Sequence, residues 1–401
     1  MTSKKPKLRF PEFSDSWEEK KLGDLLEFKN GINADKEQYG SGTKFINVLD
    51  ILNNDYITHE RIIGRVNIDS SQLEKNLVSF GDILFQRSSE TREEVGTANV
   101  YLDKEQNATF GGFVIRGKKI GIYNPMFLNL LLKTKTARES ITSRSGGSTR
   151  FNIGQEVLSS ITLSFPIIEE QTKIANFLTA IDKKINLLKE KKSHLEAYKK
   201  GIMQQIFNQE RNAARLRFKK DDGSEFEDWK EKRVDDMFKV TRGNVLSMNI
   251  VKNKKSDDYI YPVYSSQTKN KGLAGFYNEY LFEDCITWTT DGANAGDVNF
   301  RKGKFYCTNV CGVLKSDGGF ANQCIAEILN SITKQYVSYV GNPKLMNNVM
   351  SNIDVLVPES LEEQQKIASF LSAIDDKIAS VSNAIETTQT YKKGLLQQMF
   401  C

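Results

Sequence analysis

The 401-residue chain lacks features on which several classes of protein depend. It has only two histidines, seven prolines and five cysteines. No apolar run approaches the roughly 18 residues that a membrane-spanning helix needs, and the basic start of the chain leads into no apolar segment typical of secretory signals. These absences predict a protein with no membrane span and no export signal. The odd number of cysteines then favours a reducing cytoplasm.

The motifs of common catalytic sites are also missing. No G-x-x-x-x-G-K-[ST] loop is present to bind a nucleoside triphosphate, and neither His59 nor His194 has the surroundings of a catalytic triad. Cys307 and Cys311 lack a second pair of ligands at zinc spacing, so we interpret them as two positions of one strand. The sequence predicts no catalytic, cofactor-binding or metal-binding residue in this chain.

Composition is that of ordinary globular domains. Hydrophobic residues make up 39% of the chain, charged residues 27%, and the net charge is +5. At about 100–200 residues per domain, this length predicts two to four domains. The weak positive charge allows a nucleic-acid partner but does not indicate one.

The most informative feature that is present is an internal repeat. Residues 169–207 and 362–400 align without a gap, with 20 of 39 positions identical. A 3-4 spacing of mostly apolar residues runs from Ile174 to Ile206 and from Ile367 to Met399. This heptad pattern predicts two long helices that bury their apolar stripes on each other, antiparallel if the intervening chain folds back. A pure structural rod, a ruler between two modules and a docking face for partners are all compatible with it, and the lysine pairs of the shared YKKG are expected to be solvated.

A second repeat opens each half. The segment from Trp17 to Gly31 matches that from Trp229 to Gly243, and LRF precedes both. We expect the two tryptophans to be core anchors. The regions between these heads and the long helices share little sequence. The heads and helices form a duplicated frame, whereas the regions that they enclose differ.

The variable regions are predicted to be β-rich, with one or two helices each. Predicted strands cover 79–87, 109–117, 285–290 and 306–315, and predicted helices cover 124–141 and 322–340. A polar loop at 144–150 carries two arginines, two glycines and hydroxyl residues without an acid, which suits phosphate oxygens and guanine edges.

Two halves that each open with a Trp…Gly head and close with a P-x-x-EEQ-x-x-IA-x-FL-x-AID-x-KI helix resemble the specificity subunit of type I restriction–modification enzymes. FGDILFQR and SRSGGSTRFNIG in the first half, and YPVYSSQTKNKGLAGFYNEY and DGANAGDV in the second, are similar to the recognition domains of that family. The resemblance covers the whole chain. The second helix departs slightly, because PESLEEQ is one residue longer than PIIEEQ.

The resemblance implies an α+β fold, in which two mixed β-rich recognition domains are separated by a pair of long antiparallel coiled-coil helices with a pseudo-two-fold internal repeat. The predicted boundaries are 1–168 for the first target recognition domain, 169–207 for the first spacer helix, 208–361 for a linker plus the second recognition domain, and 362–401 for the second spacer helix.

The resemblance also implies a function without catalysis in this chain. Each recognition domain would read one half of a bipartite site in double-stranded DNA. Two modification subunits would use S-adenosylmethionine to methylate adenine at N6, and two restriction subunits would use ATP and Mg²⁺. The resemblance implies no membrane partner and a location in the cytoplasm of a bacterium or archaeon.

The residues proposed to contact DNA follow the family pattern by position. In the first half they are Arg87, Ser88, Arg92, Arg144, Ser148, Thr149, Arg150 and Asn152. In the second half they are Tyr264, Ser265, Ser266, Gln267, Thr290, Asp291, Asn294, Asn342, Lys344 and Asn347.

Two alternatives remain open on the residues alone. A coiled-coil adaptor with two protein-binding heads would share the duplicated helices. A single-chain DNA methyltransferase would need a methyl-donor pocket and an Asn-Pro-Pro-aromatic motif, of which only Asn124-Pro125-Met126-Phe127 is a faint trace.

Overall fold

The computed structural model describes residues 5–208, 216–266 and 270–400. The chain forms two compact units, Met1–Lys189 with Asn383–Cys401, and Glu190–Ser382. Each long helix is thus divided between the two units. The domain boundaries predicted from the sequence, which gave each helix a segment of its own, stay a prediction.

The described part of the first unit contains short strands and helices, followed by the first long helix. The strands are β1 (Glu18–Lys21), β2 (Leu26–Asn30), β3 (Tyr39–Ile46), β4 (Arg65–Val66), β5 (Ile83–Gln86), β6 (Ser88–Ser89), β7 (Ala98–Val100), β8 (Thr109–Phe110), β9 (Val114–Lys119), β10 (Phe151–Asn152) and β11 (Thr162–Phe165). The helices are α1 (Leu22–Leu25), α2 (Val48–Leu52), α3 (Ser70–Lys75), α4 (Pro125–Leu132), α5 (Lys135–Thr142), α6 (Gln155–Ser160) and α7 (Ile168–Ile206).

Two small sheets form the body of the first unit. One has the antiparallel order β2-β9-β5-β7, and the other has the order β4-β3-β8. Every residue of β5 is buried, as expected for a central strand covered on both faces. The core beside it includes Trp17, Phe85, Ile115 and Phe127, so the expectation for Trp17 as a core anchor is confirmed.

The second unit repeats this plan with a larger sheet. Its strands are β12 (Lys230–Arg233), β13 (Lys239–Arg242), β14 (Tyr261–Tyr264), β15 (Leu273–Tyr277), β16 (Phe282–Thr289), β17 (Val298–Cys307), β18 (Cys311–Lys315) and β19 (Asp354–Val357). Its helices are α8 (Val234–Met237), α9 (Gln323–Ile332), α10 (Asn347–Ser351) and α11 (Leu361–Met399). The sheet order is β13-β18-β16-β17-β14-β15, and Trp229 is buried in the core as predicted.

The predicted helices of the variable regions are shorter in the structure. The helix predicted over 124–141 is broken into α4 and α5, because the Thr134 hydroxyl donates to Leu131 O and accepts from Ala137 N (2.7 and 3.3 Å). A threonine in that position caps a new helix instead of continuing the old one. The helix predicted over 322–340 ends at Ile332, and a 3₁₀ turn covers Thr333–Tyr336.

Two predicted strands are interrupted by turns. Segment 109–117 is divided into β8 and β9, where Val114 N donates to Gly111 O (2.9 Å). Segment 306–315 is divided into β17 and β18, where Cys311 N donates to Thr308 O (3.0 Å). The interpretation of Cys307 and Cys311 as positions of one strand was therefore wrong, since they end one strand and begin the next.

The long helices contact each other in antiparallel fashion within each unit. In the first unit Lys392 Nζ lies 2.5 Å from Asp182 Oδ1. In the second, Lys199 Nζ lies 2.8 Å from both carboxylate oxygens of Asp375. Both pairs fit one register, because 17 residues separate the partners on each helix and the two helices run in opposite directions. The predicted antiparallel pair is confirmed.

The ion pairs also correct the expectation for YKKG. The first lysine of each motif bonds to the aspartate of the other helix's AID motif, and only the second lysine, Lys200 or Lys393, is exposed.

A second set of duplicated contacts ties each head to its helix. Arg9 makes two hydrogen bonds of 2.7 Å to the Glu170 carboxylate, and Arg217 makes the equivalent pair to Glu363 at 3.1 and 2.9 Å. These pairs explain why LRF and EEQ recur together in both halves of the chain.

Within the described residues, no helix combines the length and the apolar character needed to cross a membrane.

Candidate nucleic-acid interface

In the first unit, residues that are far apart in the sequence meet at the end of β5. Strand β6 pairs antiparallel with β10, which sets Ser88 opposite Asn152. The Ser88 hydroxyl donates to Asn152 Oδ1 (2.5 Å). Arg87 directly precedes this pair, and its backbone carbonyl accepts from Ile153 N (3.0 Å). Arg87, Ser88 and Asn152 therefore form one group.

Three arginines and an exposed aromatic ring belong to the same surface. The Arg150 guanidinium lies 5.7 Å from the centroid of Phe113, and that of Arg92 lies 5.5 Å from Phe151. Arg87 Nη1 donates to Gly112 O, next to Phe113 (3.3 Å). Phe113 is 59% exposed. Cations held near an aromatic face are preorganised for phosphates and base edges.

A tight hairpin, closed between Gly146 and Asn152, forms part of this surface. Gly146 and Asn152 exchange both backbone hydrogen bonds (3.0 and 2.8 Å). Gly147 has a φ of +112°, and a Cβ there would lie 2.1 Å from Arg150 O, so the turn requires glycine. Ser148 and Thr149, two of the residues proposed to contact DNA, are exposed at the tip of this hairpin.

Arg144 is the one predicted residue of this half that the structure directs elsewhere. Its Nη1 donates to the carbonyl and hydroxyl oxygens of Ser140 (2.9 and 2.7 Å), one turn back on α5. It remains exposed to solvent.

A cavity of about 490 Å³ adjoins the group and contains residues that sequence reasoning missed. Asn30, Gln155 and Glu156 line it together with Arg87 and Asn152. Asn30 directly precedes Gly31, at which the repeated head ends. Its position at the end of a repeated segment was the sequence signal that could have identified it as a site residue.

The second unit brings together Thr290, Asp291 and Lys344. Asp291 and Lys344 form an antiparallel backbone bridge, and Lys344 Nζ lies 4.0 Å from Asp291 Oδ1. The Thr290 hydroxyl lies 2.8 Å from Asp291 Oδ2 and 3.0 Å from Val310 O. This surface therefore carries both an anionic acceptor and a cation.

Tyr264 and Ser265 contact residues that were not predicted. The Thr308 hydroxyl donates to Ser265 Oγ (3.0 Å). The Arg301 guanidinium lies 3.7 Å from the Tyr264 ring centroid and donates to Lys271 O (2.7 Å). Burial lowers the pKa of Arg301, while Tyr264 acts in the opposite direction. No motif marks Arg301 in the sequence.

The remaining predicted residues of this half differ in exposure. Asn342 is exposed, and Ser266 and Asn294 are half-buried. Asn347 Nδ2 donates to Thr241 O (3.4 Å), which indicates a structural role. Gln267 lies outside the described residues.

The two surfaces share one backbone scaffold with different side chains. Equivalent turns and strand ends are joined by equivalent hydrogen bonds. The matched pairs are Arg87 N to Phe113 O (2.9 Å) with Thr290 N to Val310 O (3.1 Å), and Ile153 N to Arg87 O (3.0 Å) with Leu345 N to Thr290 O (2.9 Å). Duplication thus extends into the variable regions, where the sequences show little match.

Comparison with known proteins agrees with this duplicated architecture. The chain is 39% identical over 147 residues to a Mycoplasma pneumoniae protein named as a type I specificity subunit. The matched segment covers 36% of this chain and only 39% of that relative. It is 25% identical over 418 residues to one of Methanocaldococcus jannaschii named as the specificity subunit of a type I restriction enzyme, with 97% of this chain and 94% of the relative covered.

Solved structures show the same fold. The S subunit of a type I restriction–modification system from M. genitalium superposes with a TM-score of 0.62 at 16% identity, over 99% of both chains. The model of the type I restriction modification DNA specificity domain matches twice, over residues 14–197 and 226–388. The chain therefore belongs to the family of type I restriction–modification DNA specificity domains, and it carries two copies of that domain.

Proposed function

We propose that each unit reads one half of a bipartite site in double-stranded DNA, as the specificity subunit of a type I restriction–modification complex. The observation that carries this proposal is the pair of matched scaffolds that present unlike polar side chains. A duplicated structural domain has no need to vary these positions, whereas a reader of two different half-sites does.

The side chains of each surface suit base edges and phosphates. Arginine pairs well with guanine O6 and N7, and the first unit offers Arg87, Arg92 and Arg150. Asp291 in the second unit suits an exocyclic amino group of cytosine or adenine, and Lys344 suits a phosphate. Two readers on one chain gain affinity through effective concentration, so neither half needs to bind tightly alone.

The helices would act as spacer and as docking site for two modification subunits. The reciprocal Lys–Asp pairs fix one register, which a spacer requires. Tyr198 and Tyr391, equivalent residues of α7 and α11, are each more than half exposed and offer duplicated apolar contacts for two copies of a partner.

Catalysis would belong to the partners. Modification subunits would bring S-adenosylmethionine for adenine-N6 methylation, and restriction subunits would bring ATP and Mg²⁺, in the cytoplasm. Across 5–208, 216–266 and 270–400, no group of three or more His, Cys, Asp or Glu side chains is arranged to hold a metal ion. The proposal assigns recognition and assembly to this chain and leaves catalysis to the partner subunits.

The test is co-expression with the modification subunit of the same system, followed by genome-wide mapping of methylated adenine. We expect a two-part motif with a fixed unspecified middle. A continuous motif would contradict the proposal. In parallel, calorimetry of the purified chain should show no binding of S-adenosylmethionine; binding would favour a single-chain methyltransferase. No retention of the assembled complex on DNA would favour a protein adaptor.

A further inference from the structure

The hairpin of the second unit is closed by the same backbone hydrogen bonds as the basic hairpin of the first. Ser338 and Lys344 exchange two backbone hydrogen bonds of 2.9 Å, as Gly146 and Asn152 do. Each bridge encloses five residues. The equivalence assigns 339–343 to the position that 147–151 occupies in the first unit, although the two segments share no residue in register.

The tip of the second hairpin is apolar. Tyr339 is 67% exposed and Val340 is 92% exposed. The corresponding tip of the first unit carries Ser148, Thr149 and Arg150 instead. An almost fully exposed β-branched side chain on a tightly closed loop gains nothing in the isolated chain, because it leaves apolar surface in water.

The hairpin is continuous with the proposed reading surface. Gly292 N donates to Pro343 O (2.9 Å), and Leu345 N donates to Thr290 O (2.9 Å). These bonds hold the tip beside Thr290 and Asp291. The hairpin contains no acidic residue, and Asn342 and Lys344 follow the apolar pair, which suits a polyanionic partner.

Resting on the proposed function, we propose that Tyr339 and Val340 form an apolar fingertip that contacts the C5-methyl group of thymine in the major groove of the second half-site. The methyl group is the apolar feature that base pairs offer in that groove, and apolar side chains recognise it. The first unit, whose hairpin carries Ser148, Thr149 and Arg150 instead of an apolar pair, would read polar edges. The two halves would then differ in the kind of contact as well as in sequence.

The experiment uses the complex with the modification subunit and duplexes in which uracil, which lacks the C5-methyl group, replaces each thymine of the second half-site in turn. We expect at least one replacement to weaken binding about threefold to tenfold, the scale of one buried methyl group. Val340→Ser and Tyr339→Ser should bind the thymine and uracil duplexes more nearly equally. Both side chains are exposed, so neither change threatens folding.

The control is Ile122→Ser, a change at a side chain that is 81% exposed beyond the end of β9 opposite Phe113. It should retain the full discrimination between thymine and uracil. Unchanged binding of every uracil duplex, discrimination retained by Val340→Ser, or a second half-site without thymine would each overturn the fingertip. These outcomes leave a bipartite motif in place, whereas failure of the proposed function would remove the motif itself.

Discussion

A nearly buried ion pair, Arg9–Glu170, joins the head of the first unit to its long helix, and Arg217–Glu363 is its equivalent in the second unit. The Glu170 side chain is fully buried and that of Arg9 is 13% exposed, and both carboxylate oxygens accept from the guanidinium. The net contribution of such a pair is modest, but replacing the carboxylate removes both of its hydrogen bonds to the guanidinium, which stays charged in a site of low polarity. This asymmetry explains why both residues recur in the second unit.

We therefore expect Glu170→Ala to destabilise the first unit by about 3 kcal/mol. Chemical denaturation of the purified chain with a probe in the first unit would measure the change. Glu169→Ala is a matched control, because Glu169 is the exposed neighbour in the same helical turn. Equal stabilities of the two variants would show that the pair contributes little.

Arg150 is the residue whose change should affect one half-site only. We expect Arg150→Ala to weaken binding of the assembled enzyme to its site by about 1–3 kcal/mol if the contact is to a base edge, and to lower the salt dependence if it is to a phosphate. The second half of the methylated motif should be unchanged. Lys21→Ala, on β1, is the control. A full methylation rate and an unaltered salt dependence would show that Arg150 is not a contact.

At the scale of elements, the Lys–Asp pairs define which parts of the long helices face each other. With Asp182 beside Lys392, segment 183–189 of α7 corresponds to segment 385–391 of α11. Removing both segments keeps each ion pair in register, whereas removing one would shift the helices by seven residues. The register thus shows where a spacer can be shortened.

Deleting 183–189 together with 385–391 should shorten the unspecified gap by about three base pairs. One heptad of helix is roughly 10.5 Å, and base pairs are about 3.4 Å apart. Mapping methylated adenine in cells that express the variant with its modification subunit measures the gap. The control that lacks only 183–189 should be inactive. An active double deletion with the original gap would rule out the ruler.

At the scale of the whole molecule, the equivalence of the hairpins predicts that they can be exchanged. Replacing 146–152 by the sequence of 338–344 keeps the length and the closing bridge. We expect the first half of the motif to change and the second half to remain, as read from genome-wide methylation. The reciprocal exchange should change the second half only. A change in both halves, or in neither, would contradict independent reading.

The sequence could predict the frame because its signals are local or repeated. The heptad spacing, the prolines before the helices and the EEQ motif each reflect interactions within a few helical turns. Their presence in both halves made them recognisable in the sequence. Strand and helix ends in the variable regions were less predictable: the Thr134 cap and the turn before Val114 interrupt segments whose composition favours continuation. Local propensity is a weak prior where a side-chain cap or a closed turn competes with it.

By itself, the sequence determined two related halves, two long helices and the family, since periodicity and residue identity are properties of the chain. Only the tertiary structure decided which polar side chains act together. Ser88 bonds to Asn152, which lies 64 residues further along the chain. Arg301 contacts the Tyr264 ring, although no sequence motif connects the two residues. Such pairs form where strands and turns from separate segments of the chain pack together, and no local sequence pattern indicates which segments will do so.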